Sequence, residues 1–401
     1  MKNILLIIVF SITLYPKGEI GTSDNCITCH RQFAEKWHTS RHAMSHFSKN
    51  DLFKKSLIFI TKEHPEHLLS EMKLTCAKCH NPRVTRSSIN ADDKVSLLLQ
   101  DSKTEEEVHR VLNSKNMKDG VNCLVCHNVD KIHLNKTRGS QGVNSITFGP
   151  KGTIFGPFKD AKSPYHKSIK RDHFVGDDPT LCFACHYGMK NENGVAVYAT
   201  GTEYDTNQQR QGSNAITGCK SCHMSPKMKG IASSYAQGGT SPKPRMIRQH
   251  RFASVDNSDI LKNHVDVTGR REQNTYIIGI QNNTPHKLPT GYGLRKITLR
   301  VDFYDKNHNL LGSDFQIIGV NWKDARGEIT IPHLAAATFD DTRLAPQEYH
   351  EFTFVLLPKS TEVRYTLSYR LIGDTMAHKL NITDPFFLKN YIILQKRVPL
   401  T

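Results

Sequence analysis

The pattern of apolar and polar positions divides the chain into three stretches. Residues 4–15 (ILLIIVFSITLY) form an apolar run of about a dozen residues behind the basic Lys2. That is the length of a secretory signal core and falls short of a bilayer span. It predicts a signal peptide over residues 1–21, cleaved somewhere in 17–23, with an uncleaved anchor as the alternative. No later segment is apolar enough to cross a membrane. The mature chain is therefore expected to be exported, periplasmic or beyond, with no transmembrane segment.

In the second stretch, helices are expected over residues 31–47, 51–71 and 92–113. The middle one gathers Leu52, Phe53, Leu57, Ile58 and Ile60 as a packing face. Residues 227–244, rich in Gly, Ser and Pro, read as a loop. The third stretch begins near Asp266. Residues 275–281, 295–304, 313–320, 349–357 and 363–371 are β-branched and aromatic, and turn signals such as Asp305-Lys-Asn-His separate them. The predicted organisation is thus a mainly helical and loop domain over 22–265, followed by a β-sandwich over 266–401.

Composition changes this picture at one point. The hydrophobic fraction, 37% of 401 residues, is low for the length, so aliphatic side chains alone do not fill the interior. The ten cysteines explain what does. All fall in five C-x-x-C pairs, each followed by histidine: Cys26/Cys29/His30, Cys76/Cys79/His80, Cys123/Cys126/His127, Cys182/Cys185/His186 and Cys219/Cys222/His223.

C-x-x-C-H is the attachment signature of haem c. The two thiols add to the porphyrin vinyl groups, and the histidine becomes the proximal iron ligand. With 21 histidines in 401 residues, five chance successes have odds on the order of one in three million. Zinc ribbons need no histidine after each pair, thioredoxin-like pairs come singly, and a disulfide scaffold would not hold every cysteine to one spacing. Five covalent haems are the expectation.

The first cysteines lie 50, 47, 59 and 37 residues apart, too irregular for a solenoid, so the haems themselves are expected to form the core. The formal charge of +16 would otherwise suggest nucleic acid. Two propionates per haem offset most of it, so no nucleic-acid partner is inferred, although a residual positive face could steer an acidic redox partner.

The remaining histidines decide the chemistry, because an iron with a second histidine suits electron transfer and one with an open face can bind a substrate. His42 is the leading distal candidate. It lies twelve residues beyond His30, about 18 Å if that stretch is helical, and so would serve a neighbouring haem. His166 (with His173 as rival), His250 and His286 are further candidates that spacing alone does not separate from surface histidines. His133 could serve the remaining haem, with His109 as rival. Met44 and Met224 could be thioether ligands or core residues. His64 and His67 read as a solvated pair, and His308, His333, His350 and His378 as surface positions.

Several of these elements, taken in order, resemble a broad family of bacterial multihaem c-type cytochromes. They are Trp37-x-x-Ser40-x-His42-Ala43, Gly156-Pro157 … Ser163-Pro164-Tyr165-His166, Gly218-Cys-Lys-Ser-Cys-His-Met224, His250-Arg-Phe252 and His286-x-x-Pro289-Thr290-Gly291. The family includes the tetrahaem cytochrome that accepts electrons from hydroxylamine oxidoreductase, and the similarity covers roughly residues 24–305. The resemblance implies that His42, His166, His250 and His286 are distal ligands, that haems stack in close pairs, and that a β-sandwich is appended. Five motifs in place of four leave the fifth distal ligand unassigned.

Three functions follow as expectations. The first is an electron carrier between redox protein partners outside the cytoplasm, with no bond chemistry of its own. The second is a reductase or oxidase of a small nitrogen or sulfur compound at one open haem. Pentahaem nitrite reductases mark that haem with lysine in place of the motif histidine, whereas all five motifs here end in histidine. The third is an oligomer whose stacked subunits form a conducting filament.

Overall fold

The computed structural model describes residues 22–83, 102–134, 141–212, 218–234, 243–253 and 259–400. The expected signal segment and the start of the expected helix 92–113 lie outside these.

The N-terminal part is helix and loop. Besides two single turns, Lys115–Lys118 and Asp259–Lys262, its helices are α1 (Asp24–His38), α2 (Asp51–Glu63), α3 (Leu69–His80), α4 (Ser102–Leu112), α5 (Cys123–His127), α6 (Thr180–His186), α7 (Thr200–Gln211) and α8 (Cys219–His223). The expected helix over 31–47 stops at His38, and His42 stands on the turns that follow. The expected helix over 51–71 is two helices, because α2 ends at Glu63 ahead of Pro65. At the start of α2, Asn50 caps the backbone N–H of Phe53 at 3.0 Å and Asp51 meets the helix dipole. Leu52, Leu57, Phe59 and Ile60 are then buried on one face. The expected loop 227–244 is closed at its base by a two-stranded ribbon, Met228–Ile231 against Pro244–Ile247.

The C-terminal part is antiparallel β-structure: β1 (Val265–Glu272), β2 (Thr275–Asn282), β3 (Lys296–Tyr304), β4 (Leu310–Gly319), β5 (Tyr349–Val355), β6 (Glu362–Arg370) and β7 (Tyr391–Pro399). One sheet runs β5–β2–β1 and the other β4–β3–β6–β7. Along β3, Ile297, Leu299, Val301 and Phe303 alternate inward. They meet Ile278, Ile280 and Phe354 of the other sheet in a continuous core, which makes the part a β-sandwich. Each such side chain contributes about 1.5–3 kcal/mol by leaving water.

A second cluster ties the two parts together. Leu52, Phe59 and Ile60 of α2 pack with Leu294, Trp322, Ile331, Ala335 and Phe387. The remaining apolar clusters of the helical part are small, Ala77 with Val108, Val111, Leu112 and Met117, and Phe183 with Tyr187 and Tyr204. Between them lies a chamber of about 1900 Å³.

Candidate functional site

All ten cysteines and all five motif histidines line that chamber. Every motif lies on a helical segment. There the first cysteine, the second at i+3 and the histidine at i+4 project from one face, so each triplet can address one ligand. In α1 the helical geometry breaks at His30 (φ −119°, ψ 37°), which ends the first motif as a separate turn. Asn122 holds the start of α5 by accepting from the N–H groups of Leu124 and Val125.

Four of the five motif imidazoles share a kind of backbone anchor. Nδ1 of His30 lies 2.7 Å from the carbonyl oxygen of Ala232, that of His80 2.8 Å from Ser45, that of His127 2.7 Å from Phe155, and that of His223 2.9 Å from Ala253. A carbonyl only accepts, so each Nδ1 carries the proton and each Nε2 keeps its lone pair. This is the tautomer and the second-shell contact that metal-ligating imidazoles use.

Four of the expected distal histidines stand opposite motif histidines. Ring centres are 6.5 Å apart for His30 and His166, 6.1 Å for His186 and His42, 6.0 Å for His127 and His250, and 6.5 Å for His223 and His286. Two imidazoles gripping one metal at about 2 Å each, plus the ring radii, have centres roughly 6 Å apart. The pairs therefore fit an iron held between them. Nδ1 of His250 donates to the carbonyl of Arg248 at 3.2 Å and that of His286 to Lys287 at 3.0 Å.

Burial, reinforced by neighbouring imidazoles, pushes His42 and His250 down to about 3 and His186 and His286 to about 4. All four are neutral at pH 7, the state that can ligate.

The sequence elements around these ligands have visible work. The indole of Trp37 donates to the carbonyl of Val121 at 2.9 Å, and Ser40 Oγ accepts from the Ala43 N–H at 3.3 Å. Together they fix the turn that presents His42. Gly120, at φ +67°, lies under that turn, where a Cβ would stand 2.6 Å from the His42 carbonyl. Phe252 sits at φ +52°, a strained position for a bulky residue, with its ring edge-on to His42 at 4.4 Å and to His250 at 6.0 Å.

His133, expected as the fifth distal ligand, is not part of this arrangement. It is exposed on the ribbon after α5, with Nε2 bonded to Thr147 Oγ1 at 2.9 Å. Its rival His109 is on the outer face of α4. Among the described residues no imidazole stands 6–6.5 Å from His80; the Phe53 ring lies 4.0 Å from it instead. Conversely, His333, read from sequence as a surface position, is enclosed and lines the chamber with Tyr292. Burial pushes it down to about 4, with a smaller push from His80. Its sequence surroundings, Ile331-Pro332-His333-Leu334-Ala335-Ala336-Ala337, were the available signal, since few surface turns are so apolar.

The motifs neighbour one another in a definite order. The thiol of Cys26 stands beside Cys123, Cys79 beside Cys185, and Cys182 beside Cys219, with Cys126 near the fourth motif. The fourth motif is thus adjacent to the second, third and fifth.

No family model matches the chain, and no curated protein is matched by its sequence. Among solved structures, the chain is similar to a penta-haem cytochrome c552 from Thermochromatium tepidum. The TM-score is 0.70 at 19% identity, over 94% of this chain and 98% of that one. A superoxide reductase in its oxidised state matches 34% of this chain and 86% of its own at 9% identity, with a TM-score of 0.18. A helical part followed by an antiparallel β-rich region is therefore a fold that this chain has in common with the penta-haem cytochrome c552 over nearly the full length of both.

Proposed function

We propose that the chain binds five c-type haems covalently, one at each motif, and conducts electrons among them outside the cytoplasm. The observation that carries this reading is the set of four imidazole pairs at 6.0–6.5 Å, each built on a C-x-x-C-H motif. Haem c supplies reversible one-electron chemistry when bound. The protein's residues hold the cofactor by thioether, fix the imidazole tautomers and keep water away. The fold in common with a penta-haem cytochrome c552 is in keeping with this reading.

The neighbour order of the motifs gives a branched path: first to third to fourth, with the second and fifth both beside the fourth. Donor and acceptor are taken to be redox proteins that dock at the ends of that path. No helix among the described residues is long and apolar enough to cross a membrane, and the apolar start of the chain supports export.

The test is the haem-to-protein ratio of the purified chain together with its low-temperature EPR spectrum. Five haems, at least four of them low-spin, are expected; fewer than four low-spin irons would overturn the reading. A second reading, small-molecule chemistry at one open haem, is favoured by one feature alone: among the described residues no imidazole stands opposite His80.

A further inference from the structure

The wall beside the second motif differs from the walls of the other four. His80 is anchored like His30, His127 and His223, with Nδ1 on the Ser45 carbonyl at 2.8 Å, but no second imidazole stands at ligating distance among the described residues. Three side chains line the chamber near it instead: Ser56 from α2, and Tyr292 and His333 from the β-rich part. Tyr292 Oη, Ser56 Oγ and His333 Nδ1 are shut from solvent; Tyr292 and Ser56 lie within reach of each other, and His333 Nδ1 has no hydrogen-bond partner among the described residues. An unpaired buried polar atom is costly and rare. The unpaired His333 imidazole beside the buried Tyr292 hydroxyl marks a place where something polar completes the wall.

The wall is also held in place. His333 sits in the turn Pro332–Leu334, between the fully buried Ile331 and Ala335. The side chain of Asn191 donates to the carbonyls of Pro332 at 2.9 Å and Ala335 at 2.7 Å, and Asn193 donates to Ala335 at 2.9 Å. The Tyr292 and His333 rings are 5.7 Å apart. A turn clamped by the helical part is not free to slide its imidazole toward His80.

We propose that the Cys76–Cys79–His80 site keeps one face open for a small exogenous ligand, and that the β-rich part supplies the polar wall of that face through Tyr292 and His333. The chemistry of the wall selects a ligand of a few atoms bearing a nitrogen or oxygen that accepts hydrogen bonds. A phenol and an imidazole both donate to such a ligand, and the apolar Leu57, Ile60 and Met72 line the same chamber. On this view the β-rich part completes a site in the helical part. The inference rests on the haem reading given above.

The experiment uses the full haem-loaded chain with cyanide as the probe of the oxidised state and carbon monoxide as the probe of the reduced state. One iron in five is expected to be high-spin by EPR, with both probes saturating at one per five haems. Tyr292→Phe and His333→Leu should each weaken cyanide binding about fivefold, the loss of one hydrogen bond, without changing the stoichiometry. Five haems that are all low-spin would overturn the open face. If His333→Leu then converts one of them to high-spin, His333 is itself the sixth ligand. Binding of both probes with unchanged affinity in both variants would overturn the role of the wall. A chain that carries no haem would instead overturn the haem reading on which this rests.

Discussion

Glu203 Oε2 lies 2.6 Å from the hydroxyl of Thr290, a bond between the helix that follows the fourth motif and the loop that presents His286. The same oxygen accepts the Lys287 N–H at 3.1 Å, and Oε1 accepts from Arg343 at 3.4 Å. This buried carboxylate therefore sets where the loop 286–290 sits over the fifth motif. Glu203→Ala leaves the Lys287 N–H without a partner and the Thr290 hydroxyl with only Thr200 Oγ1 at 3.2 Å, and should cost about 1–3 kcal/mol in urea unfolding. The EPR line of the site built on His223 and His286 should broaden as well. Glu203→Gln, which keeps an acceptor oxygen, should lose less than half as much. Equal stability of the alanine variant and the parent would show that the loop is held by other contacts.

The four imidazole pairs make a site-by-site forecast. His42→Ala, His166→Ala, His250→Ala and His286→Ala should each convert one iron to high-spin, and each should affect a different motif. The motifs are the fourth, first, third and fifth respectively, following the ring pairs. His133→Ala should change nothing, because that side chain is exposed and bonded to Thr147. A high-spin signal from His133→Ala, or none from two of the other four, would contradict the pairing.

How far the sequence carried follows the physics of each signal. The motifs were fully legible, because two thioethers and a proximal ligand on one helical face leave a rigid spacing. The inward strands β3 and β6 were legible as well, since a half-buried strand alternates, and β2 because it is a short β-branched run buried almost throughout. The strands β1 and β7 were missed. Their outer residues, such as Arg270, Arg271 and Lys396, face water on the rims of the sheets and dilute the apolar pattern. The carbonyl anchors at Ala232, Ser45, Phe155 and Ala253 could not have been found at all, since a backbone oxygen has no side-chain signature. His333 was misjudged because it follows a strand-rich stretch, where most histidines do face solvent. Its burial depends on α2 and on the ribbon carrying Asn191, both more than a hundred residues away.

Acid should weaken the support of the His286 loop in a defined window. Asp341 is half-buried, and burial alone would raise its carboxyl. The paired bonds from Arg343 at 2.7 and 2.8 Å and the ammonium of Lys287 at 3.1 Å outweigh that and hold it down at about 2. A carboxyl lower in the folded chain than in the unfolded one stabilises above the unfolded value, near 3.8. That stabilisation is lost as pH falls from there toward 2. About 1–2 kcal/mol is expected to disappear across this range after allowing for partial exposure. Asp341→Asn should be less stable than the parent at pH 6, and the gap should shrink below pH 4 and close only as pH falls through about 2. Curves that stay parallel over that range would show that another group carries the acid dependence.

The clamp on the His333 turn gives a test of how the two parts of the chain depend on each other. Asn191 is buried; its amide donates to the carbonyls of Pro332 and Ala335, and its carbonyl accepts the Val195 N–H at 3.0 Å. Asn191→Ala takes the donor from the Pro332 carbonyl and leaves that of Ala335 with Asn193 alone, which should cost about 1–3 kcal/mol in global unfolding. Leu299→Ala, deep in the sandwich, should cost about 2–5 kcal/mol through lost burial and a cavity. Similar losses would arise from unlike causes, and the haem spectra would separate them. Leu299 does not line the chamber, and its substitution should leave every EPR line in place. The Asn191 substitution frees the turn that carries His333 and should perturb the lines of the second-motif site alone. Should both variants leave those lines untouched, the helical part does not position that turn, and the dependence of the second-motif site on the β-rich part would have to run through Tyr292.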